Sequence, residues 1–233
     1  MKIIKLGVEE LDRGIGGGIP HPSLISIEGG HGTGKTAISQ YVVMAFLNSG
    51  LRVLVITSEA TIKEYLSMME SLGLKATNNF LKNRLLITPL HVEGGKWSRR
   101  LSPLFLMVTG NFLELKKDKY DLAVIDSLSV LAVNVKEHDL LTFITRLKNI
   151  VSDGKTVLLT FHPDFLPRES MTRLRAASDV YLITKNARFL GMAVKVLEIV
   201  KLWGSKGERK SSLYFEVDPQ MGLRVLPLGA VST

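Results

Sequence analysis

Ser23-Leu24-Ile25-Ser26-Ile27-Glu28, running straight into Gly29-Gly30-His31-Gly32-Thr33-Gly34-Lys35-Thr36, is the stretch that decides the fold. The first six residues read as a strand. The next eight fit G-x-x-x-x-G-K-T at every position. An apolar helix is then predicted from about Thr36 to Asn48, closed by Gly50. Strand, glycine loop and helix in that order make a phosphate loop. Glycines let backbone N–H groups curve inward where side chains would block close approach. Gly30, His31, Gly32, Thr33 and Gly34 form that cradle. Lys35 can reach the β- and γ-phosphates as a mobile point charge, and the Thr36 hydroxyl can ligate Mg2+. The start of the helix adds its positive end. The spacing is not the G-x-G-x-x-G of a dinucleotide fold.

Working outward, the chain repeats the strand–helix alternation. Leu51–Thr57 reads as a β-branched strand, and Thr61 and Glu64 form a T-x-x-E capping box for a helix ending near Gly73. Arg84–Thr88 is a third β-like run. Residues 96–117 carry a helical pattern that Pro103 and Gly110 are expected to interrupt. Leu122–Asp126 is nearly all apolar, as expected of a parallel strand covered on both faces. A helix over 137–151 and a strand over 156–160 complete another unit. Beyond residue 180 no long helix separates the strand-like runs Val180–Thr184, Met192–Trp203, Ser212–Val217 and Leu223–Leu226. The expected architecture is one α/β domain over residues 1–233. It has a RecA-like P-loop NTPase core, with a mostly parallel central sheet flanked by helices and a C-terminal antiparallel β meander.

Strand ends of such a sheet converge on the phosphate site, which selects further candidates. Asp126 ends an apolar strand, where a carboxylate needs a cation or donors. It can hold the Mg2+ shell, or else cap a turn with Ser127 and Ser129. Glu59, in Thr57-Ser58-Glu59-Ala60, can orient or deprotonate an attacking water, or serve as a surface or capping glutamate; Thr57 and Ser58 would be hydrogen-bond partners. His162 follows a third strand end and can sense the γ-phosphate, with packing as the alternative; the bland reading is stronger for His91. The histidines at 21, 31, 91, 138 and 162 show no metal-ligand spacing, so a zinc site is not expected. Arg173 and Arg175 read as surface-helix residues that pair with local acids or face a neighbour. Trp203 reads as edge-strand packing, or as a ring that stacks on a base.

Composition bounds the rest. With 233 residues, 45% apolar and 22% charged, the chain reads as a folded globule. It has no cysteine, which excludes a disulfide scaffold, a thiolate metal site and a Cys nucleophile. The N-terminal stretch is broken by charges before a signal-peptide core could form, and no apolar segment reaches the ~18 residues that span a bilayer. A cytoplasmic location is expected, with attachment to a membrane complex left open. Lys and Arg number 30 against 22 Asp and Glu, a formal charge of +8. The excess lies in residues 96–119 and 185–210, with Lys195 on a partly covered strand. It points toward subunit contacts and an acidic protein or lipid-proximal partner more than toward nucleic acid.

Beyond these residues, the chain resembles the KaiC-like RecA-type ATPases, and among them the ATP-binding component of the archaellum (archaeal flagellum) motor. The likeness rests on LDRGIGGGIP at 11–20, IEGGHGTGKT at 27–36, Ser58-Glu59, VIDSLS at 124–129 and VLEIVKLWGSKG at 196–207. It implies ATP and Mg2+ as cofactors, with Lys35 and Thr36 as phosphate lysine and magnesium hydroxyl. Asp126 becomes the magnesium-shell aspartate and Glu59 the catalytic glutamate. Lys201 matches a lysine reaching across a subunit boundary toward a neighbour's γ-phosphate. The family's paired glutamates are here Ser58-Glu59, and the arginine expected two residues after the trans lysine is Trp203. Both departures imply slow or partner-dependent hydrolysis. The resemblance further implies a regulator in which nucleotide state controls docking to the motor ATPase and the membrane platform protein. It would form, or dock onto, a ring such as a hexamer, peripheral to the membrane. Two other classes fit the same core. A RecA-like recombinase or DNA-repair ATPase would use the Gly94–Arg100 stretch on DNA, and a stand-alone KaiC-like signalling ATPase would autophosphorylate.

Overall fold

The computed structural model describes residues 1–90, 102–133, 135–189, 191–205, 207, 210–219 and 221–227. His91 and the Gly94–Arg100 stretch lie outside them. The strands are β1 (Lys2–Ile4), β2 (Ile19–His21), β3 (Leu24–Gly29), β4 (Val53–Thr57), β5 (Leu85–Pro89), β6 (Leu122–Asp126), β7 (Thr156–Phe161), β8 (Val180–Phe189), β9 (Met192–Leu202), β10 (Ser212–Asp218) and β11 (Gly222–Leu226). The helices are α1 (Glu9–Gly14), α2 (Lys35–Asn48), α3 (Ile62–Ser71), α4 (Thr77–Leu81), α5 (Ser102–Leu115), α6 (Leu128–Ala132), α7 (Glu137–Ser152) and α8 (Arg168–Ala177).

Nine strands form one sheet in the order β11-β10-β9-β8-β3-β7-β6-β4-β5. The six from β8 to β5 are parallel, and β9, β10 and β11 add on antiparallel at the β8 edge. Strands β3, β4, β6 and β7 are buried at every position. That explains their continuous apolar runs, because helices cover both faces. One core layer joins Val42, Phe46, Val55, Tyr65 and Phe215 on the α2–α3 face. The other joins Leu113, Ile125, Phe143, Leu147 and Phe161 on the α5–α7 face.

Local chemistry accounts for the helix boundaries. Thr61 and Glu64 make the reciprocal capping box read from the sequence, with Thr61 N–H donating to Glu64 Oε2 at 2.8 Å and Glu64 N–H to Thr61 Oγ1 at 3.3 Å. The predicted interruption at Gly110 does not occur, since α5 runs unbroken from Ser102 to Leu115; residues 96–101 of the expected helix lie outside the described residues. Pro103 falls in the first turn, where its missing N–H has no helical partner to lose. Gly110 is where α5 meets α7: a Cβ there would lie 2.7 Å from the Arg146 guanidinium. The strand read as Val180–Thr184 extends to Phe189. Its alternation had stopped being apolar because β8 outruns the strand beside it. The short β1–β2 ribbon pairs Ile3 with Pro20, an element the glycine-rich lead-in concealed. No helix among the described residues is long and apolar enough to cross a membrane.

Candidate functional site: a phosphate-loop cleft

Four neighbouring strand ends, β4, β6, β7 and β3, face a cleft of about 510 Å³. Its lining includes His31, Gly32, Thr33, Gly34, Lys35, Thr36, Glu59, Ser129, His162 and Lys195. The phosphate loop follows β3 and opens α2, as its sequence required. Gly32 and Gly34 adopt φ of 68° and 96°, a region in which a side chain is strained. Thr33 Oγ1 donates to the Gly30 carbonyl at 2.9 Å and shares a hydrogen bond with Thr184 Oγ1 at 2.8 Å, fixing the loop to β8. Lys35 Nζ donates to the Gly30 carbonyl at 2.7 Å. Burial lowers the Lys35 pKa, and the carboxylates of Glu59 and Asp126 oppose that shift.

Asp126 is only 3% exposed. Its carboxylate accepts from the Thr160 hydroxyl on β7, and the Thr36 hydroxyl on α2 lies near enough to favour its charged form. Burial pushes its pKa up to about 6, the Glu59 charge adds to the rise, and the two hydroxyls and Lys35 counteract it. The turn-capping alternative does not describe this geometry. Ser127 N–H donates to Ser58 Oγ at 3.2 Å, and Ser129 Oγ accepts from His162 N–H at 2.7 Å. Glu59 is exposed at the cleft edge, its N–H bound to Thr57 Oγ1 at 3.2 Å. Thr57 and Ser58 thus hold the two strand ends, the part expected of them.

His162 enters the cleft from the end of β7. Its ring centroid lies 4.7 Å from that of His31, and Phe165 packs edge-on to it at 5.4 Å. The Nδ1 atom is 3.4 Å from an Asp164 carboxylate oxygen. Lys201 is not brought into the cleft; its Nζ donates to the Ala176 carbonyl at 3.0 Å. Trp203 is 73% exposed, so it does not pack on the sheet edge. Arg173 and Arg175 pair with acids of the chain itself: Arg173 with Glu137 and Glu169, and Arg175 with Glu28 beside the Tyr181 ring.

The donor set fits Mg2+. Thr36 at the start of α2 puts a hydroxyl beside the buried Asp126 carboxylate at the loop. Mg2+ takes hard oxygens and completes its shell with phosphate and water, so one or two protein oxygens suffice. Among the described residues no group of three or more His, Cys, Asp or Glu would cage a metal unaided.

Lys195 is the cleft residue that sequence reasoning missed. Its Nζ donates to the Gly32 carbonyl at 2.6 Å. A partly covered strand in the meander gave no sign of this. The period of two along β9 sets Lys195 on one face with buried Leu197 and Ile199, but whether that face meets the loop depends on the hairpin register.

A parallel sheet with a phosphate loop at its carboxyl edge and an antiparallel meander beyond β8 defines an α/β ATPase of RecA type. Comparisons with known proteins narrow this class. A family model described as "ATPase: KaiC" matches residues 4–230. The archaeal flagellar ATP-binding protein FlaH of Sulfolobus acidocaldarius is 40% identical over 226 residues, covering 97% of each chain. FlaH of Methanocaldococcus jannaschii is 31% identical over 229 residues, covering 95% of this chain and 94% of the relative. A crystal structure of the flagellar accessory protein FlaH from that organism superposes with a TM-score of 0.83 at 26% identity, covering 97% of this chain and all of that one. A KaiC-like protein of Pyrococcus horikoshii shares the fold with a TM-score of 0.74 at 21% identity, covering 97% of this chain and 99% of its own. The chain belongs to the KaiC-like ATPases and, within them, to the FlaH family.

Proposed function

We propose that this chain binds Mg-ATP in the phosphate-loop cleft and serves as the ATP-binding regulatory component of an archaellum motor. Nucleotide state would control its docking to the motor ATPase and the membrane platform. The observation that carries the binding reading is the convergence of a complete phosphate loop with Asp126, Glu59 and His162 from three adjacent strand ends. The archaellum role rests on the relatives, archaeal flagellar ATP-binding proteins whose lengths the chain matches almost throughout. Those relatives favour it over a recombinase or a stand-alone signalling ATPase.

In this reading the loop N–H groups and the Lys35 ammonium hold the β- and γ-phosphates. Mg2+, when bound, would neutralise charge on those phosphates, with Thr36 Oγ1 and the Asp126 carboxylate as its protein oxygens. Glu59 would accept the proton of a water placed against the γ-phosphate. Its exposed position and the presence of Ser58 beside it, in place of a second acid, argue for slow turnover. A protein with Trp203 where a neighbour's arginine is expected supplies less charge to the transition state. ATP would instead act as a signal, ordering the segments that carry Glu59 and His162 and so changing the surface offered to partners. A cytoplasmic position at the motor, in or under a ring, follows from the same reading.

The test is ATP binding and turnover by the purified chain beside Lys35→Ala. Binding lost in the variant, with scant turnover in the parent, is the expected result. Fast turnover without any partner would sink the regulator reading.

A further inference from the structure

We propose that Lys195 is a second phosphate-site cation, supplied by β9 of the same chain, which holds the outer wall of the phosphate loop and binds the polyphosphate from the side opposite Glu59 and Asp126. The inference deepens the nucleotide-binding reading and rests on it.

The register of the sheet puts the residue there. Thr184 of β8 lies opposite Gly29, the last residue of β3. β8 continues to Phe189, so the β8–β9 hairpin overhangs the loop that follows β3. Lys195 pairs with Asn186, two residues beyond Thr184, which places it level with the loop. Its Nζ bonds the Gly32 carbonyl at 2.6 Å and has a longer contact, 3.5 Å, with Asn186 Oδ1. The aliphatic stem packs against the loop as well. A Cβ built on Gly34 would lie 3.3 Å from Lys195 Cδ and 3.0 Å from the ring of Phe215 on β10. Lys195 also lines the cleft itself, together with Ala37 and Val217.

A lysine ammonium has three donors and no acceptor. One is committed to the Gly32 carbonyl and one is in the long contact with Asn186, so a donor remains for a ligand in the cleft that Lys195 lines. In the sheet order, β9 stands two places from β3 on one side. β6 and β4, which bring Asp126 and Glu59, stand two and three places away on the other. Glu59 and Asp126 belong to the end where phosphoryl transfer would occur. On the opposite flank, Lys195 would contact the part of the ligand that ADP and ATP share. Its loss should weaken both alike, unlike loss of Glu59.

The experiment measures ADP and ATP affinity by calorimetry for the full chain. The forms compared are the parent, Lys195→Met, Lys195→Arg and Lys35→Ala, at two salt concentrations. Methionine keeps most of the stem that packs on Gly34, and a melting curve checks that each variant is folded. The expected result is that Lys195→Met weakens ADP and ATP equally, by about tenfold, the scale of one charge-assisted hydrogen bond. Its affinity should also depend less on salt, and Lys195→Arg should recover most of the loss. If the parent and Lys195→Met agree within twofold while Lys35→Ala fails to bind, this inference alone is overturned. An equal loss in Lys195→Met and Lys195→Arg with unaltered salt dependence also overturns it, since that is the mark of packing only. A parent that binds neither nucleotide overturns this inference and the nucleotide reading together.

Discussion

The phosphate loop has two unlike flanks. On the β7-β6-β4 side the strands run parallel to β3 and end at one edge, so their last residues, Asp126 and Thr57 with Glu59 and His162 just after, arrive at the site as a group. On the β8-β9-β10 side the loop meets residues from within strands: Thr184, Lys195 and Phe215. The parallel flank carries the acids and the imidazole that fit reaction chemistry. The other flank, antiparallel from β9 onward, carries a cation, a hydroxyl from the parallel strand β8 and an aromatic ring that hold the loop's shape. On the nucleotide-binding reading, one side would serve phosphoryl chemistry and the other would hold the loop and the ligand in place.

The comparison breaks first at Phe215, which is 1% exposed beneath Gly34. Phe215→Ala should cost about 3–5 kcal/mol of stability through the cavity it opens, read as a fall in the urea midpoint. ATP affinity should fall with it, because the wall under the loop is gone. A large loss of stability with unchanged affinity would mean that the antiparallel flank does not support the loop. Lys35→Ala is the next largest effect. It should weaken ATP by about two orders of magnitude, corresponding to loss of charged hydrogen bonds to phosphate, with a melting temperature close to the parent's.

Asp126→Asn probes the parallel flank in two ways. In the presence of Mg2+ it should weaken ATP by about tenfold, the scale of one charge-assisted contact, and it should leave Mg-free binding nearly as in the parent. Without ligand the stability effect has the opposite sign. The folded-state pKa of Asp126 is raised to about 6 by burial. Stability from the protonated acid is therefore full below the unfolded value of about 4 and is lost as pH rises through about 6. The urea midpoint of the parent should drop across that window relative to Asp126→Asn, which has no charge to bury. Equal pH profiles for the two proteins would show that the carboxylate is not held in a desolvated place.

The two flanks also differ in how much of them the sequence reveals. A parallel strand announces its end: apolar residues stop at a polar one, and every such end lies at the same edge. Asp126, Glu59 and His162 could therefore be placed from their positions alone, as could the loop residues from Gly30 to Thr36. An antiparallel strand reaches the loop only through the register of its hairpin. Here that register includes a shift between Tyr181 and Leu182 and an overhang of β8 beyond β3, and neither has a one-dimensional signature. Lys195 was thus visible as a basic residue on a strand and not as a neighbour of Gly32. Arg146 set the same kind of trap at Gly110. The glycine reads as a helix breaker until the side chain crossing it from α7 is seen.

The smallest of these effects should come from the capping box that starts α3. Thr61 closes the short turn from the end of β4, so the segment Ser58–Ala60 that carries Glu59 is held between a strand bond and a helix cap. Thr61→Ala removes the hydroxyl that accepts from Glu64 N–H and should cost about 1 kcal/mol. The loop and Lys35 do not depend on that cap, so ATP affinity should stay within twofold of the parent. Turnover, however slow, should fall, because Glu59 loses one of its two anchors. If affinity fell as much as it does for Phe215→Ala, the parallel flank would be supporting the loop too, and the division of labour between the flanks would not hold.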